Sequence, residues 1–266
     1  MFDYHVHSSV SFDSNTSAKD IAAAAARAGL REICFTDHWD YLPSPTDKHD
    51  LFSLDEYHAA YDNLQVDGLT VRRGIEIGLN NWNMANCREL LEQNDFDFVI
   101  GSVHYADGHD PHYKEYWDGK TVEQAYMRYL EAELECVRLH KDFDVLGHLT
   151  YVCKSPNNPF HAPLPYGDCR EIADEIMREV IRNGKGIEIN TSGVDKGVDL
   201  IPSIDYVRRF KELGGEIITV GSDSHDDLRI GQYCNETIAL LKDIFGYVCT
   251  FEKRKSLQKS GLFHKK

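Results

Sequence analysis

Phe2-Asp3-Tyr4-His5-Val6-His7 opens the chain and reads as a β-strand, because aromatic and β-branched residues crowd a short run. Residues i and i+2 of a strand share a face, so the imidazoles of His5 and His7 can both reach one ion. Six more short apolar runs follow, near 32–36, 70–76, 97–103, 143–147, 186–190 and 216–221. The stretches between them are longer and amphipathic. Ser17-Ala18-Lys19-Asp20, Ser53-Leu54-Asp55-Glu56 and Thr121-Val122-Glu123-Gln124 fit the capping box, in which side chains satisfy the orphan amides of a helix start. Gly29 and Gly184 stand where the helices over 21–28 and 172–183 should stop. Strand and helix in repeated alternation predict an α/β barrel.

The 266 residues, 42% hydrophobic and 27% charged, suit a single domain over 1–266 with a sizeable core. No internal repeat or Gly/Ser-rich linker divides them, and the Pro-containing stretches 43–45 and 156–165 are placed as loops after strands. Tyr247 to Glu252 has the composition of an eighth strand, and Lys253-Arg254-Lys255 with Lys265-Lys266 reads as a solvated basic end. No run approaches the roughly 18 apolar residues that span a bilayer, and the N-terminus lacks a basic, then apolar, leader. A cytoplasmic protein with no membrane partner is expected. Its seven cysteines are scattered without a C-x-x-C pair, which predicts buried, reduced thiols. A formal charge of −15 repels polyanions and disfavours nucleic acid as a partner. Nothing in the sequence specifies the number of subunits.

The polar residues of interest fall at the C-terminal ends of the expected strands. His5 and His7 end the first, Asp37-His38 the second and Glu76 the third. His104 follows the fourth and His148 the fifth. Glu188 and Asn190 end the sixth, and Asp223 with His225 follow the seventh. A parallel barrel aims these ends at one mouth. A single histidine near a strand end is ordinarily a hydrogen-bonded structural residue. Five strand ends carrying histidine, with Glu76 and Asp223 at strand ends as well, are not explained by packing and predict a metal centre. Imidazole and carboxylate without thiolate suit zinc, manganese, iron or cobalt and do not choose among them. With Asp13 the candidate ligands number nine, more than one or two four- to five-coordinate ions need, so three divalent ions are expected.

The ordered set His5-Val6-His7, Thr36-Asp37-His38, Glu76, Ser102-Val103-His104, Gly147-His148 and Gly221-Ser222-Asp223-Ser224-His225 resembles the PHP (polymerase and histidinol phosphatase) superfamily. Phe12-Asp13-Ser14, Val145-Leu146-Gly147-His148 and Ile187-Glu188-Ile189-Asn190-Thr191-Ser192-Gly193 look most like its monofunctional histidinol-phosphatase branch. The resemblance runs from Met1 to about Phe251 and implies a distorted, TIM-like (β/α)7 barrel with three metals. One ion would be held by His5, His7, Glu76 and Asp223. A second would share Glu76 with His104 and His148, and a third would take Asp13, His38 and His225. The branch usually carries aspartate two residues after the fifth-strand histidine and arginine six after it. Thr150 and Lys154 stand there instead, and lysine lacks the planar fork that grips phosphate oxygens in pairs.

The implied activity is hydrolysis of a small phosphate monoester, histidinol phosphate first, by attack of a metal-bridging hydroxide on phosphorus. His225, Asp223 or Asp37 can assist proton transfer to the leaving alkoxide. Lys154 would meet the phosphate, and Glu188, Asn190 and Asp107 would meet the ammonium and imidazole. Glu188 can equally orient a ligand histidine. Trp39, Tyr41, Trp82, Tyr105 and Trp117 are candidates for the pocket wall. The competing readings are a PHP-type nuclease or nucleotide phosphatase, which calls for a basic groove, and a non-catalytic regulator, which calls for eroded ligands.

Overall fold

The computed structural model describes residues 1–42, 50–159 and 163–260, so Pro43 to Pro45 and Lys265-Lys266 lie outside the described residues. The apolar runs form parallel strands: β1 (Phe2–Val6), β2 (Glu32–Phe35), β3 (His38–Trp39), β4 (Thr70–Gly78), β5 (Phe98–Ser102), β6 (Val145–Leu146), β7 (Gly186–Asn190) and β8 (Ile218–Gly221). Their order is β1-β2-β4-β5-β6-β7-β8, with β3 paired beside β4. The Asp223 amide donates to the His5 carbonyl and the His7 amide to the Ser224 carbonyl, both at 2.8 Å. These bonds bring the last strand back to the first, so the sheet is nearly closed into the seven-stranded barrel. β3 was not foreseen. After β2 the chain steps past Thr36-Asp37 and resumes along β4, with His38 opposite Glu76.

Helices α1 (Ala18–Arg27), α2 (Leu54–Tyr61), α3 (Met84–Gln93), α4 (Lys114–Trp117), α5 (Val122–Leu139), α6 (Arg170–Arg182), α7 (Ile204–Glu212) and α8 (Cys234–Phe245) connect the strands. Ser53 and Thr121 make complete capping boxes with Glu56 and Gln124. Ser17 caps α1 through the Asp20 amide alone, while the shorter Asp20 carboxylate takes the Ser17 hydroxyl at 2.5 Å. An aspartate has one methylene fewer than the glutamate the box requires. Gly29 and Gly184 adopt left-handed φ of 82° and 69° just past α1 and α6.

The expected eighth strand exists but lies outside the barrel sheet. Residues Val248–Glu252 (β9) pair antiparallel with Lys255–Lys259 (β10). The hairpin packs against the N-terminal ends of the barrel strands, with the Phe251 ring centroid 4.7 Å from Phe98 and the Phe251 amide donating to the Tyr4 hydroxyl. Arg254 pairs with Asp144 at 2.6 Å, so this part of the basic end is anchored and not merely solvated. All seven cysteines are buried and free. Among the described residues no helix is long and apolar enough to cross a membrane.

Glu133 on α5 is fully buried, and neither carboxyl oxygen has a hydrogen-bond partner among the described residues. Burial alone raises its pKa well above the usual value, so it is protonated in the fold. The unfolded chain ionises near about 4.3. Above that pH folding takes up a proton, and stability falls as pH rises, by up to about 1.4 kcal/mol per unit, until the folded-state pKa is passed. Glu133→Gln removes this slope. Denaturant unfolding at pH 5 and pH 8 should show the variant gaining on the wild-type protein at the higher pH, and parallel profiles would refute the assignment.

Candidate active site

At the C-terminal mouth the candidate ligands gather around Glu76, which is 0% exposed. Its Oε2 lies 3.1 Å from His5 Nε2, 3.5 Å from His7 Nε2 and 3.1 Å from His38 Nδ1. Its Oε1 lies 3.3 Å from His104 Nε2 and 2.9 Å from His148 Nε2. Asp223 Oδ1 stands 3.7 Å from His5 Nε2 and 3.4 Å from His7 Nε2. Asp13 Oδ2 is 3.5 Å from His38 Nε2 and 2.8 Å from His225 Nε2. Donor atoms around a tetrahedral ion with bonds of ~2.0 Å are separated by roughly 3.3 Å, so these spacings are those of shared coordination shells. Four overlapping groups each offer one donor atom per residue, all within 4.8 Å of one another: His7-Asp13-His38-His225, His5-His7-Glu76, His38-Asp40-His104 and Glu76-His104-His148.

Four of the six rings are held by Nδ1 so that Nε2 faces the cluster. His5 Nδ1 meets Glu188 Oε1 at 2.5 Å, His7 Nδ1 meets Ser11 Oγ at 3.1 Å, His104 Nδ1 meets Asp40 Oδ1 at 2.9 Å, and His225 Nδ1–H donates to the Asp223 carbonyl at 3.0 Å. Such outer partners fix tautomer and orientation in metal sites. Ser102 Oγ donates to Glu76 Oε1 at 2.6 Å. The fully buried Asp3 accepts from the amides of Ser222 and Gly231, each at 2.8 Å, and pins the turn that carries Asp223. A Cβ on Gly221 would collide with His5 and Glu188, so this glycine lets β8 approach the cluster.

The donor set fits bound cations on an observation independent of spacing. His5 Nε2, His7 Nε2, His38 Nδ1, His148 Nδ1 and Glu76 Oε2 are buried without a hydrogen-bond partner among the described residues. Buried polar atoms without partners are costly, and a metal shared by His5 Nε2, His7 Nε2 and Glu76 Oε2 would satisfy those three. Burial, then the neighbouring His225 and His38 rings, lowers the His7 pKa to about 3, which leaves the neutral imidazole that ligation requires. Without a cation, burial opposes ionisation of His104, but Asp40 and Glu76 outweigh it and raise its pKa to about 10, so a metal bound there would displace that proton.

A pocket of about 340 Å³ opens above the cluster. Asp13, His38, His104, His148, Asp223 and His225 line it, together with Lys154. Lys154 Nζ bonds Ser192 Oγ at 3.1 Å and contacts Asp223 Oδ2. Asp37 does not reach the pocket. Its carboxylate accepts from the Ser8 amide at 2.7 Å and from the Tyr61 hydroxyl, and burial raises its pKa to about 6 against those bonds.

Glu188 and Asn190 face the barrel interior as β7 alternation requires, but a layer below the pocket. Glu188 is occupied by His5 and by the His148 amide at 2.9 Å, and Asn190 by Ser192 and Asp223. Neither lines the pocket. Asp107, at φ 56°, turns outward to Arg128 on α5 and lines a separate cleft. Of the expected aromatic walls only Tyr105 is present, joined by Phe12, Tyr113 and Tyr151.

Sequence reasoning passed over Asp40, Asp50, Asp110, Lys196 and Arg229, all of which line the pocket. A signal existed for Asp40. It stands two residues after His38 in an extended segment, the same spacing that singled out His5 and His7. The other four sit in loops or short 3-10 turns, where no periodicity marks a direction.

Residues 3–192 match the PHP domain. The chain belongs to the PHP family. This PHP protein is 34% identical to the histidinol-phosphatase of Lactococcus lactis, over 84% of this chain and 83% of that one. It is 27% identical to a probable histidinol-phosphatase of Clostridium acetobutylicum, over 96% and 98% of the two chains. Its fold superposes on the crystal structure of the L. lactis histidinol phosphate phosphatase complexed with zinc, L-histidinol and phosphate. The TM-score is 0.85 at 32% identity, covering 96% of this chain and 98% of that one. A Listeria monocytogenes structure at 17% identity and TM-score 0.70 shares the fold.

If Glu76 is shared between ions, Glu76→Gln removes charge that two cations need while keeping shape, and should lower zinc affinity at least ~10–100-fold. Elemental analysis after dialysis against trace zinc checks this. Wild-type stoichiometry in the variant would contradict the sharing.

Proposed function

We propose that this PHP protein is a histidinol-phosphatase that uses three divalent ions to hydrolyse L-histidinol phosphate to L-histidinol and phosphate. The ions would be shared as His5, His7, Glu76 and Asp223; Glu76, His104 and His148; and Asp13, His38 and His225. The observation that carries the substrate is the polarity of the pocket. Lys154, Lys196 and Arg229 line it together with Asp40, Asp50 and Asp110. Histidinol phosphate is itself dipolar, with a phosphate dianion at one end and an ammonium and an imidazole at the other. Relatives named histidinol-phosphatase span nearly the whole chain. The buried, unpaired thiols support a reducing, cytoplasmic location.

Bound divalent ions supply Lewis acidity toward the phosphoryl oxygens and lower the pKa of water. The chain's own residues do the positioning. Lys154, braced between Ser192 and Asp223 and 5.2 Å above the Tyr151 ring, places a positive charge beside the phosphate. Asp110, which accepts from the Tyr151 hydroxyl at 3.1 Å, and Asp50 offer carboxylates to the ammonium in place of Asp107, Glu188 and Asn190. Of the residues weighed for proton delivery to the leaving oxygen, Asp223 and His225 line the pocket and Asp37 does not.

The test is kcat/KM for histidinol phosphate beside an aryl phosphate, a nucleoside monophosphate and single-stranded DNA at one salt concentration. A preference of at least ~100-fold over the aryl ester, about 2.7 kcal/mol in the transition state, is expected if the pocket reads the ammonium and imidazole. Faster cleavage of DNA or nucleotides would replace this reading with a nuclease or nucleotide phosphatase.

A further inference from the structure

We propose that Lys196 and Arg229 complete, with Lys154, a three-cation wall that binds the oxygens of the substrate phosphate and of inorganic phosphate. The inference rests on the phosphatase reading and assigns a binding role to two residues outside the ligand cluster. Lys196 ends the short 3-10 turn Val194–Lys196 that follows β7. This turn is tied at 3.0 Å by the Lys196 amide to the Gly193 carbonyl. Gly193 has no room for a Cβ against the Asp199 carbonyl and the Ile201 side chain, so the turn is closely packed and its direction is set.

Arg229 belongs to the loop between β8 and α8. The Asp226 carboxylate accepts the Arg229 amide at 2.9 Å, and Gln232 accepts from Arg229 Nε at 2.8 Å. Asp195 joins the two loops: it stands 3.6 Å from Arg229 Nη2 and accepts from the Tyr233 hydroxyl at 2.6 Å. A guanidinium has five N–H donors in a planar fork, and the contacts to Gln232 and Asp195 engage two of its nitrogens.

The Lys196 ammonium has no hydrogen-bond or ion-pair partner among the described residues. It nevertheless lines the same pocket as two other cations. Crowding by the protein, then the charge of Lys154, lowers its pKa to about 8; Asp223 opposes and Arg229 adds to the fall. Gathering like charges costs free energy that an anion between them recovers. The pocket also carries Asp13, Asp40, Asp50, Asp110 and Asp223, but Lys154 and Arg229 both bear on Lys196, and in a chain of net charge −15 such a grouping of three cations marks an anion site. A phosphate dianion placed against Lys154 offers further oxygens to both residues, and charge-assisted bonds to phosphate are among the strongest the chain can make.

The experiment measures inorganic phosphate binding to zinc-loaded protein, by calorimetry and as competitive inhibition of aryl phosphate hydrolysis. Lys196→Ala and Arg229→Ala should each weaken phosphate binding about 10-fold, with zinc content and melting temperature unchanged. Lys196→Arg should stay near the wild type. Asp195→Asn separates binding from bracing. It should bind phosphate as tightly as the wild type or tighter, since Arg229 loses a competing anion, whereas an Arg229 that only holds the loop predicts the same loss as Arg229→Ala. Wild-type phosphate binding with both alanine variants within twofold of it would overturn the inference and leave the phosphatase reading intact. A zinc-loaded wild type that binds no phosphate and hydrolyses no ester would overturn both.

Discussion

Burying the Glu76 carboxylate without exposed surface is costly unless positive charge or donors surround it. Five histidines stand within 3.5 Å of it, and its pKa, which burial would raise, is held well below the usual range by His5, His38 and His104. The dependence is mutual, because the unpartnered ring nitrogens around it need a carboxylate or a cation as much as it needs them. Glu76 sits on β4, whose neighbours β2, β3 and β5 fan outward from it. A shift of that strand would misplace most of the cluster at once.

The supporting structure serves this constraint. β3 lays His38 opposite Glu76, and a Cβ on Gly78 or Gly221 would collide with Asp40 or with His5 and Glu188. Asp3 ties β1 to the turn carrying Asp223 from below. At the other end of the barrel the β9–β10 hairpin covers Tyr4 and Phe98, so the strands are gripped at their bases while their tips carry the chemistry. The arrangement places precise groups on rigid elements and variable groups on loops.

Charge distribution adds a second layer. The chain as a whole repels anions, yet one pocket concentrates three of its cations beside the histidine–carboxylate centre. Long-range repulsion is screened over about 8 Å at physiological salt. A small phosphate ester that reaches the mouth therefore meets the local charge, whereas a polyanion must lay its remaining phosphates along an acidic surface. Lysine at position 154, where the family resemblance leads one to expect arginine, gives up bidentate geometry, and a neighbouring cation on another loop is a physical means of restoring a second point of attachment.

The sequence by itself determined where the strands run and which histidines and carboxylates end them, because strand periodicity is local and a parallel βα topology sends every C-terminal end to one mouth. It therefore singles out His5, His7, His38, Glu76, His104, His148, Asp223 and His225. Position at a strand end does not reveal depth, and only the tertiary structure placed Glu188 and Asn190 beneath the ligands, with Asp37 spent on Tyr61 and Ser8. Loop direction was equally hidden. The left-handed backbone at Asp107 turned that carboxylate toward α5, and contacts between residues distant in the chain, such as Asp195 with Arg229, brought Lys196 and Arg229 to the pocket. Such pairings depend on backbone angles and partners that no local pattern encodes.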